Sequence, residues 1–273
     1  MAPAVRDVID MWQNTRMVVL TAMTSALYAA ILIPFKVLPI IPGVTEFRPA
    51  NAVPVVCSFL FGPAAAWGSA IGNVIGDFFG GIGPGDFFGF LGNFLYGYIP
   101  YKTWELISDR DPVPEWHGRW SSFVFDREWL KFAAVVFLSA GACAIVVGWG
   151  LNTLGFIPFA VLGNIVLFNN LVVGGTVGPL LLAVLYPRVK RGRLLYRDVM
   201  PRRAPRRPLR AALGLVFIAT AVVGGMVVGN LLSTGQWHPL ELAGLDAARA
   251  RMIETSIGLL PALLLLVIGV LLL

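Results

Sequence analysis

Charged residues are scarce in this sequence of 273 residues. Lys, Arg, Asp and Glu make up 13% of the chain, whereas they make up about 25% of a soluble domain. Hydrophobic residues account for 57%, and the mean hydropathy is +0.77. So little charge excludes a soluble domain, and so many apolar residues exclude intrinsic disorder. The composition is that of a polytopic membrane protein.

Cysteine and histidine are equally scarce, with two residues of each. Cys57 and Cys143 lie inside apolar segments, where we expect buried thiols rather than a disulfide scaffold. His117 and His238 lie in polar loops, so the sequence has no pattern of metal ligands. It also lacks G-x-S-x-G, H-E-x-x-H and a phosphate-binding loop. We therefore expect neither an enzyme nor a bound cofactor, and an ATP-driven role would need ATPase subunits on other chains.

Apolar stretches of about the length of a membrane helix recur along the chain. They are 17–40, 50–62, 64–82, 86–104, 131–151, 156–187, 209–232 and 253–273. The second is short, and Phe61-Gly62-Pro63 separates it from the third. It is either a tilted helix that begins near Glu46 or half of a broken helix. The pattern predicts an all-α polytopic membrane protein, with a six-helix bundle followed by an extra transmembrane helix pair.

The basic residues predict the orientation. With eight spans and the N-terminus inside, 1–16, 102–131 and 188–210 face the cytoplasm and hold 17 of the 21 Lys and Arg residues. The positive-inside rule therefore places both termini in the cytoplasm. The net charge of +6 is explained in the same way, so we expect contact with the lipid bilayer and no nucleic acid.

The stretch 188–210 holds ten basic residues and three prolines, which predicts an extended cytoplasmic linker. Its charge favours attraction to anionic lipid, and contact with a cytoplasmic partner is the alternative. The linker divides the chain into a six-helix domain (1–187), the linker itself (188–210) and an accessory helix pair (211–273).

Polar residues inside apolar helices are expensive and usually face a cavity or another helix. The third stretch carries a glycine ridge beside a polar stripe, both with four-residue spacing. The ridge is Gly68, Gly72, Gly76 and Gly80, and the stripe is Ser69, Asn73 and Asp77. The ridge predicts close helix packing. The stripe predicts either hydrogen bonds between helices or one wall of a ligand cavity.

Three further segments carry candidate ligand-binding residues. In the fourth stretch, Asp86, Asn93 and Tyr96 can share one helical face, although Asp86 is also a good helix N-cap. The sixth stretch holds Asn164, Asn169 and Asn170, which favour either helix–helix hydrogen bonds or a polar pocket. The loop between the first two stretches holds Glu46, Arg48 and Asn51 and forms either an interfacial salt bridge or a lid over an external site.

Several features occur together along residues 15–190. They are the six-helix body, a long first external loop, the four-residue alanine spacing of Ala22, Ala26 and Ala30, and the segments Phe47-Arg48-Pro49, Leu60-Phe61-Gly62-Pro63 and Ile71-Gly72-Asn73. In these features the sequence resembles the substrate-binding S component of energy-coupling-factor (ECF) transporters. It departs from that family in the helix pair after residue 210 and in a long loop at 105–130.

The resemblance implies a high-affinity binder of a vitamin or related micronutrient in a prokaryotic cell membrane. It implies that Ala22, Ala26 and Ala30 dock onto a transmembrane T component driven by two ATPase subunits. The expected substrate-binding residues are Glu46, Arg48, Asn51, Asp86, Asn93, Tyr96, Asn164 and Asn170. Amides beside aromatic rings suit a heteroaromatic ligand such as a pteridine, deazapurine, thiamine-like or flavin compound, and also suit larger corrinoids.

Two other functions remain open from the sequence. A stand-alone secondary transporter would need a buried acid that cycles protons, and Asp77 is the candidate. A membrane scaffold protein without transport activity would use the glycine ridge and the basic linker to bind helices and lipids.

Overall fold

The chain is described by a computed structural model over residues 6–35, 39–41, 45–46, 48–108, 111, 127–200, 208–239 and 245–273. Almost all of these residues are helical, which confirms the all-α prediction. The helices are α1 (Arg6–Asp10), α2 (Thr15–Phe35), α3 (Ala52–Phe61), α4 (Pro63–Phe78), α5 (Asp86–Ile107), α6 (Arg127–Thr153), α7 (Phe159–Arg191), α8 (Tyr196–Val199), α9 (Pro208–Thr234), α10 (Ala247–Gly258) and α11 (Leu260–Leu272). Two 3-10 turns, Met11–Gln13 and Pro49–Asn51, and an antiparallel ribbon of β1 (Pro39–Ile41) and β2 (Thr45–Glu46) complete the described elements.

Five of the described helical segments are long and apolar enough to cross a membrane, which confirms a polytopic membrane protein. They are Thr15–Phe35, Arg127–Thr153, Phe159–Val199, Leu209–Thr234 and Ala247–Leu272. The first predicted stretch, 17–40, is a helix only as far as Phe35, because residues 39–41 pair with β2 instead.

The two ends of the bundle are named by the segments that lie there. We call the end where α2 ends and α5 begins the loop end. We call the opposite end, where α2 begins and α7 ends, the linker end. The glycine ridge of α4 packs along α2 in the same direction, from Gly68 at Thr24 to Gly76 at Leu32. A Cβ at Gly68 would lie 2.5 Å from the Thr24 Cβ, so this close approach requires glycine, as the four-residue spacing predicts.

Helix α3 is short and entirely enclosed, since each of its ten residues is buried. It runs from the loop end towards the linker end, where Gly62 turns the chain back into α4. Gly62 has φ +54° and packs against the Tyr196 ring. A Cβ added at Gly62 would lie 2.7 Å from the Tyr196 Cγ. Glycine is needed at this turn for both its backbone conformation and its size.

The accessory helices α9 to α11 lie against α6 and α7. Asn152 donates from Nδ2 to the Met252 carbonyl at 3.0 Å, and the Trp149 indole donates to the Ser256 carbonyl at 2.9 Å. On the apolar part of the seam, Gly225 approaches Ile145 closely. Polar and apolar contacts therefore join the helix pair to the six-helix bundle.

The predicted extended linker is shorter than 188–210. Helix α7 continues to Arg191, and α8 follows at Tyr196–Val199. This helical part packs on the bundle, because the Asn14 side chain donates to the Val199 carbonyl at 3.2 Å and Tyr196 contacts the Gly62 turn. The stretch 201–207, with most of the prolines and four arginines, lies outside the described residues.

Candidate functional site

A pair of buried amides joins the turn before α3 to helix α7, towards the loop end of the bundle. The Asn51 side chain, at the end of the turn that precedes α3, donates from Nδ2 to the Asn170 Oδ1 on α7 at 2.5 Å. Asn51 and Asn170 are 5% and 2% exposed. Unpaired amides at this depth are costly, so their mutual bond positions the turn against α7.

Two tyrosines extend this amide pair to the neighbouring helices. The Tyr28 hydroxyl on α2 lies 3.0 Å from the Asn51 Oδ1 and 3.1 Å from the Asn93 Oδ1 on α5. The Tyr96 hydroxyl, one turn after Asn93, donates to the backbone carbonyl of Asn170 at 2.9 Å. Both tyrosines are fully buried. We call Tyr28, Asn51, Asn93, Tyr96 and Asn170 the amide cluster.

A charged group lies beside the amide cluster, where the chain enters the bundle from the loop. The Arg48 guanidinium donates to the Asn73 Oδ1 at 2.9 Å and lies 3.7 Å from the Asp77 carboxylate. Asn73 in turn donates to Asp77 at 2.6 Å. These contacts fasten the loop's last residues to α4, and they use the polar stripe predicted from the sequence.

Asp77, the candidate proton-coupling acid of a secondary transporter, accepts a hydrogen bond from the Asn73 amide and lies beside the Arg48 guanidinium. Its described contacts therefore belong to the attachment of the loop to α4.

The structure brings together five of the eight expected substrate-binding residues. Asn51, Asn93, Tyr96 and Asn170 are in the amide cluster, and Arg48 lies beside it at Asn73 and Asp77.

The structure describes the other three expected residues away from the amide cluster or without their side chains. Asp86 accepts from the Gly83 N–H at 2.8 Å, so it braces the turn before α5. Asn164 is exposed and forms a reciprocal amide pair with Asn230 of α9, at 2.6 and 3.3 Å. Glu46 lies on β2, opposite Pro39, and its side chain is outside the described part of the chain.

Tyr28 was not among the expected residues, although its hydroxyl lies within hydrogen-bonding distance of both Asn51 and Asn93. Its position in α2 has a weak sequence signal, because it is a lone tyrosine in an apolar helix. The glycine ridge is the sequence feature that is associated with Tyr28 in the structure. An added Cβ at Gly72 would lie 2.8 Å from the Tyr28 Cβ, so the ridge faces the tyrosine directly.

The alanine face of α2 lies on the outside of the bundle. Ala22, Ala26 and Ala30 are exposed, whereas Ala29 between them is 4% exposed and faces the interior. Bulkier exposed residues, Met23 and Leu27, border the alanines. A surface of this shape, small along its centre and apolar throughout, suits the close approach of another membrane helix.

The cluster offers amide and hydroxyl groups for hydrogen bonds. Among the described residues, no group of three or more His, Cys, Asp or Glu side chains is placed to hold a metal ion. Cys57 and Cys143 are free and buried, as expected.

Residues 18–187, more than half of the chain, match the family model described as QueT transporter. The chain belongs to the QueT transporter family. This is a family of ECF transporter S components, so the match confirms the resemblance seen in the sequence. The QueT match ends at residue 187, before α9 begins. No curated protein and no solved structure matches the chain.

Proposed function

We propose that this QueT-family protein is the substrate-capture subunit of an ECF-type importer. It binds a vitamin or related micronutrient from the outer face. It then delivers this ligand together with a T component and two ATPase subunits. The observation that carries the proposal is the amide cluster, in which polar side chains from α2, α5, α7 and the turn before α3 converge inside an otherwise apolar bundle.

The proposed ligand is a flat heteroaromatic compound. Each amide of the cluster offers an acceptor and two donors, which is what the edge of a nitrogen heterocycle requires. Tyr28 and Tyr96 add rings beside the amides. A site built from buried polar groups rejects ligands that cannot pair them, because the groups would then remain unsatisfied.

Arg48 is the proposed latch of the external loop. The loop end of the bundle faces outward in the orientation that the basic residues favour. Arg48 is the residue at which the loop meets α4, through Asn73 and Asp77. We infer that ligand enters when these contacts open and is held when they close.

The exposed alanine face of α2 is the proposed docking surface for the T component. The accessory helices α9, α10 and α11 pack on α6 and α7, so they leave Ala22, Ala26 and Ala30 uncovered. We therefore expect docking and the helix pair to be compatible in one assembly, with the ATPases supplying the energy for reorientation.

Mass spectrometry of the small molecules released from protein purified in mild detergent tests the ligand. A stoichiometric heteroaromatic compound is the expected result. Pterin, 7-deazaguanine, thiamine and riboflavin are the probes for binding to emptied protein. A released compound without a ring, or no binding of any probe, would contradict the proposed ligand class.

Transport in cells tests the mechanism. We expect uptake of the bound compound to require the T component and ATPases and to persist when the proton gradient is collapsed while ATP is maintained. Uptake that needs the gradient and no partner would support the secondary transporter instead.

A further inference from the structure

The α7 helix carries a second buried asparagine next to the amide cluster. Asn169 is 7% exposed, and its Oδ1 is buried without a hydrogen-bond partner. It precedes Asn170, whose side chain bonds to Asn51. The two residues are consecutive in α7, so they lie at about the same depth in the bundle.

Asn169 differs in this respect from every other buried asparagine in the described part of the chain. Those five each have a donor within hydrogen-bonding distance of the amide oxygen. The donors are Tyr28 for Asn51 and Asn93, Arg48 for Asn73, the Phe159 N–H for Asn152 and Asn51 for Asn170. A buried acceptor left unpaired destabilises a fold, so an exception next to a binding site calls for a partner from outside the chain.

The Tyr28 hydroxyl is shared between two oxygens of the amide cluster. The Tyr28 hydroxyl has one proton and lies within 3.1 Å of two amide oxygens, those of Asn51 and Asn93. It can donate to only one of them at a time. The Tyr28 proton therefore cannot satisfy the Asn51 and Asn93 oxygens at the same time.

We propose that Asn169 is a specificity-determining residue, whose side-chain oxygen accepts a hydrogen bond from an N–H or O–H group of the transported ligand. This inference rests on the proposed substrate-capture function and deepens it. It assigns the ligand at least one donor on the edge that faces α7. A compound with the same shape but without that donor would leave the Asn169 oxygen unpaired and would be rejected.

The test compares Asn169→Leu with Asn170→Leu as a matched control, because the two substitutions are identical and adjacent. In the ligand-free protein, Asn169→Leu removes an unsatisfied polar atom, and we expect its melting temperature to equal or exceed that of the wild type. Asn170→Leu breaks the bond to Asn51, and we expect a decrease of at least about 2 °C. A thiol-reactive dye that reports exposure of Cys57 and Cys143 on heating measures both.

Binding of pterin, 7-deazaguanine, thiamine and riboflavin supplies the second readout. For the probe that binds the wild type, we expect Asn169→Leu to weaken affinity at least about tenfold. We also expect it to abolish the wild type's preference for that probe over its ring-N-methylated derivative. Unchanged affinity in Asn169→Leu would overturn the inference.

A loss of stability in Asn169→Leu as large as in Asn170→Leu would also overturn the inference, because it would show that Asn169 has a structural partner. Failure of the wild type to bind any of the four probes is a different result. It would contradict the proposed ligand class, and the stability comparison would then decide the role of Asn169.

Discussion

Asn51 and Asn170 lie 119 positions apart in the chain, and their side chains meet at 2.5 Å. This one contact joins the turn after the external loop to the middle of the longest helix, α7. Any movement of the loop that shifts Asn51 must therefore break or carry the contact with α7. The contact makes Asn51 the structural link between loop position and the proposed binding site.

Replacing Asn51 tests that link. Asn51→Leu removes one of the two acceptors of the Tyr28 hydroxyl and the donor to the Asn170 Oδ1. We therefore expect the unfolding free energy to fall by about 1–3 kcal/mol and ligand retention to fall at least about tenfold. Asn152→Leu is the control, since Asn152 is also buried and multiply hydrogen-bonded but lies at the seam with α10. It should lose stability and keep the ligand, as measured by thermal unfolding and by mass spectrometry of released compounds.

The Arg48 latch is tested by ligand release. We expect Arg48→Gln to increase the dissociation rate, because the loop then loses its charged contact with Asp77 and its bond to Asn73. Stopped-flow measurement with the bound probe gives the rate. A cycle of Arg48→Leu, Asp77→Leu and the double variant should show a coupling of about 0.5–3 kcal/mol in stability. Additive effects would show that the two side chains act independently.

The proposed docking face is tested by an alanine-to-leucine substitution on α2 and by the same substitution on α9. Ala26→Leu adds bulk to the exposed centre of the alanine face, and we expect co-purification with the T component to fall while ligand binding stays at the wild-type level. Ala212→Leu makes the same change on an exposed alanine of α9 and should leave co-purification intact. Equal co-purification of both variants would place the docking surface elsewhere.

The glycine ridge is tested by adding a single methyl group. At Gly72 a Cβ would lie 2.8 Å from the Ser25 carbonyl oxygen and from the Tyr28 Cβ, so Gly72→Ala must push α2 away from α4. We expect lower thermal stability and weaker ligand binding. A Cβ at Gly175 in α7 meets no atom within 4 Å, so Gly175→Ala should be neutral or stabilising by up to about 1 kcal/mol.

Periodicity was enough to predict most of the bundle. The four-residue glycine spacing predicted close helix packing, which the structure shows against α2. The family resemblance implied an alanine face on α2, which the structure leaves exposed. Asn93 and Asn170 were also expected, because amides inside apolar helices usually face a cavity or another helix, and Asn51 was expected as a residue of the external loop. Local patterns of this kind depend only on helix geometry.

Residues that depend on long-range packing were harder to predict. Nothing in the sequence around Asn164 distinguishes it from Asn170, yet Asn164 pairs with Asn230 of α9 and Asn170 with Asn51. The two asparagines are six positions apart and lie on different sides of α7, so the choice between them depends on where α9 packs. Tyr28 was missed for a related reason, because its partners Asn51 and Asn93 lie in two other segments, the turn before α3 and helix α5.

The short length of α3 has a consequence for the distance that a ligand travels. Ten residues of helix rise about 15 Å, about half the thickness of a hydrocarbon core. Asn51 lies immediately before this helix, and Gly62 follows it at the linker end. The amide cluster is therefore separated from the Gly62 turn by about 15 Å along α3. Under the proposed function, that length sets the distance between the captured ligand and the linker end of the bundle.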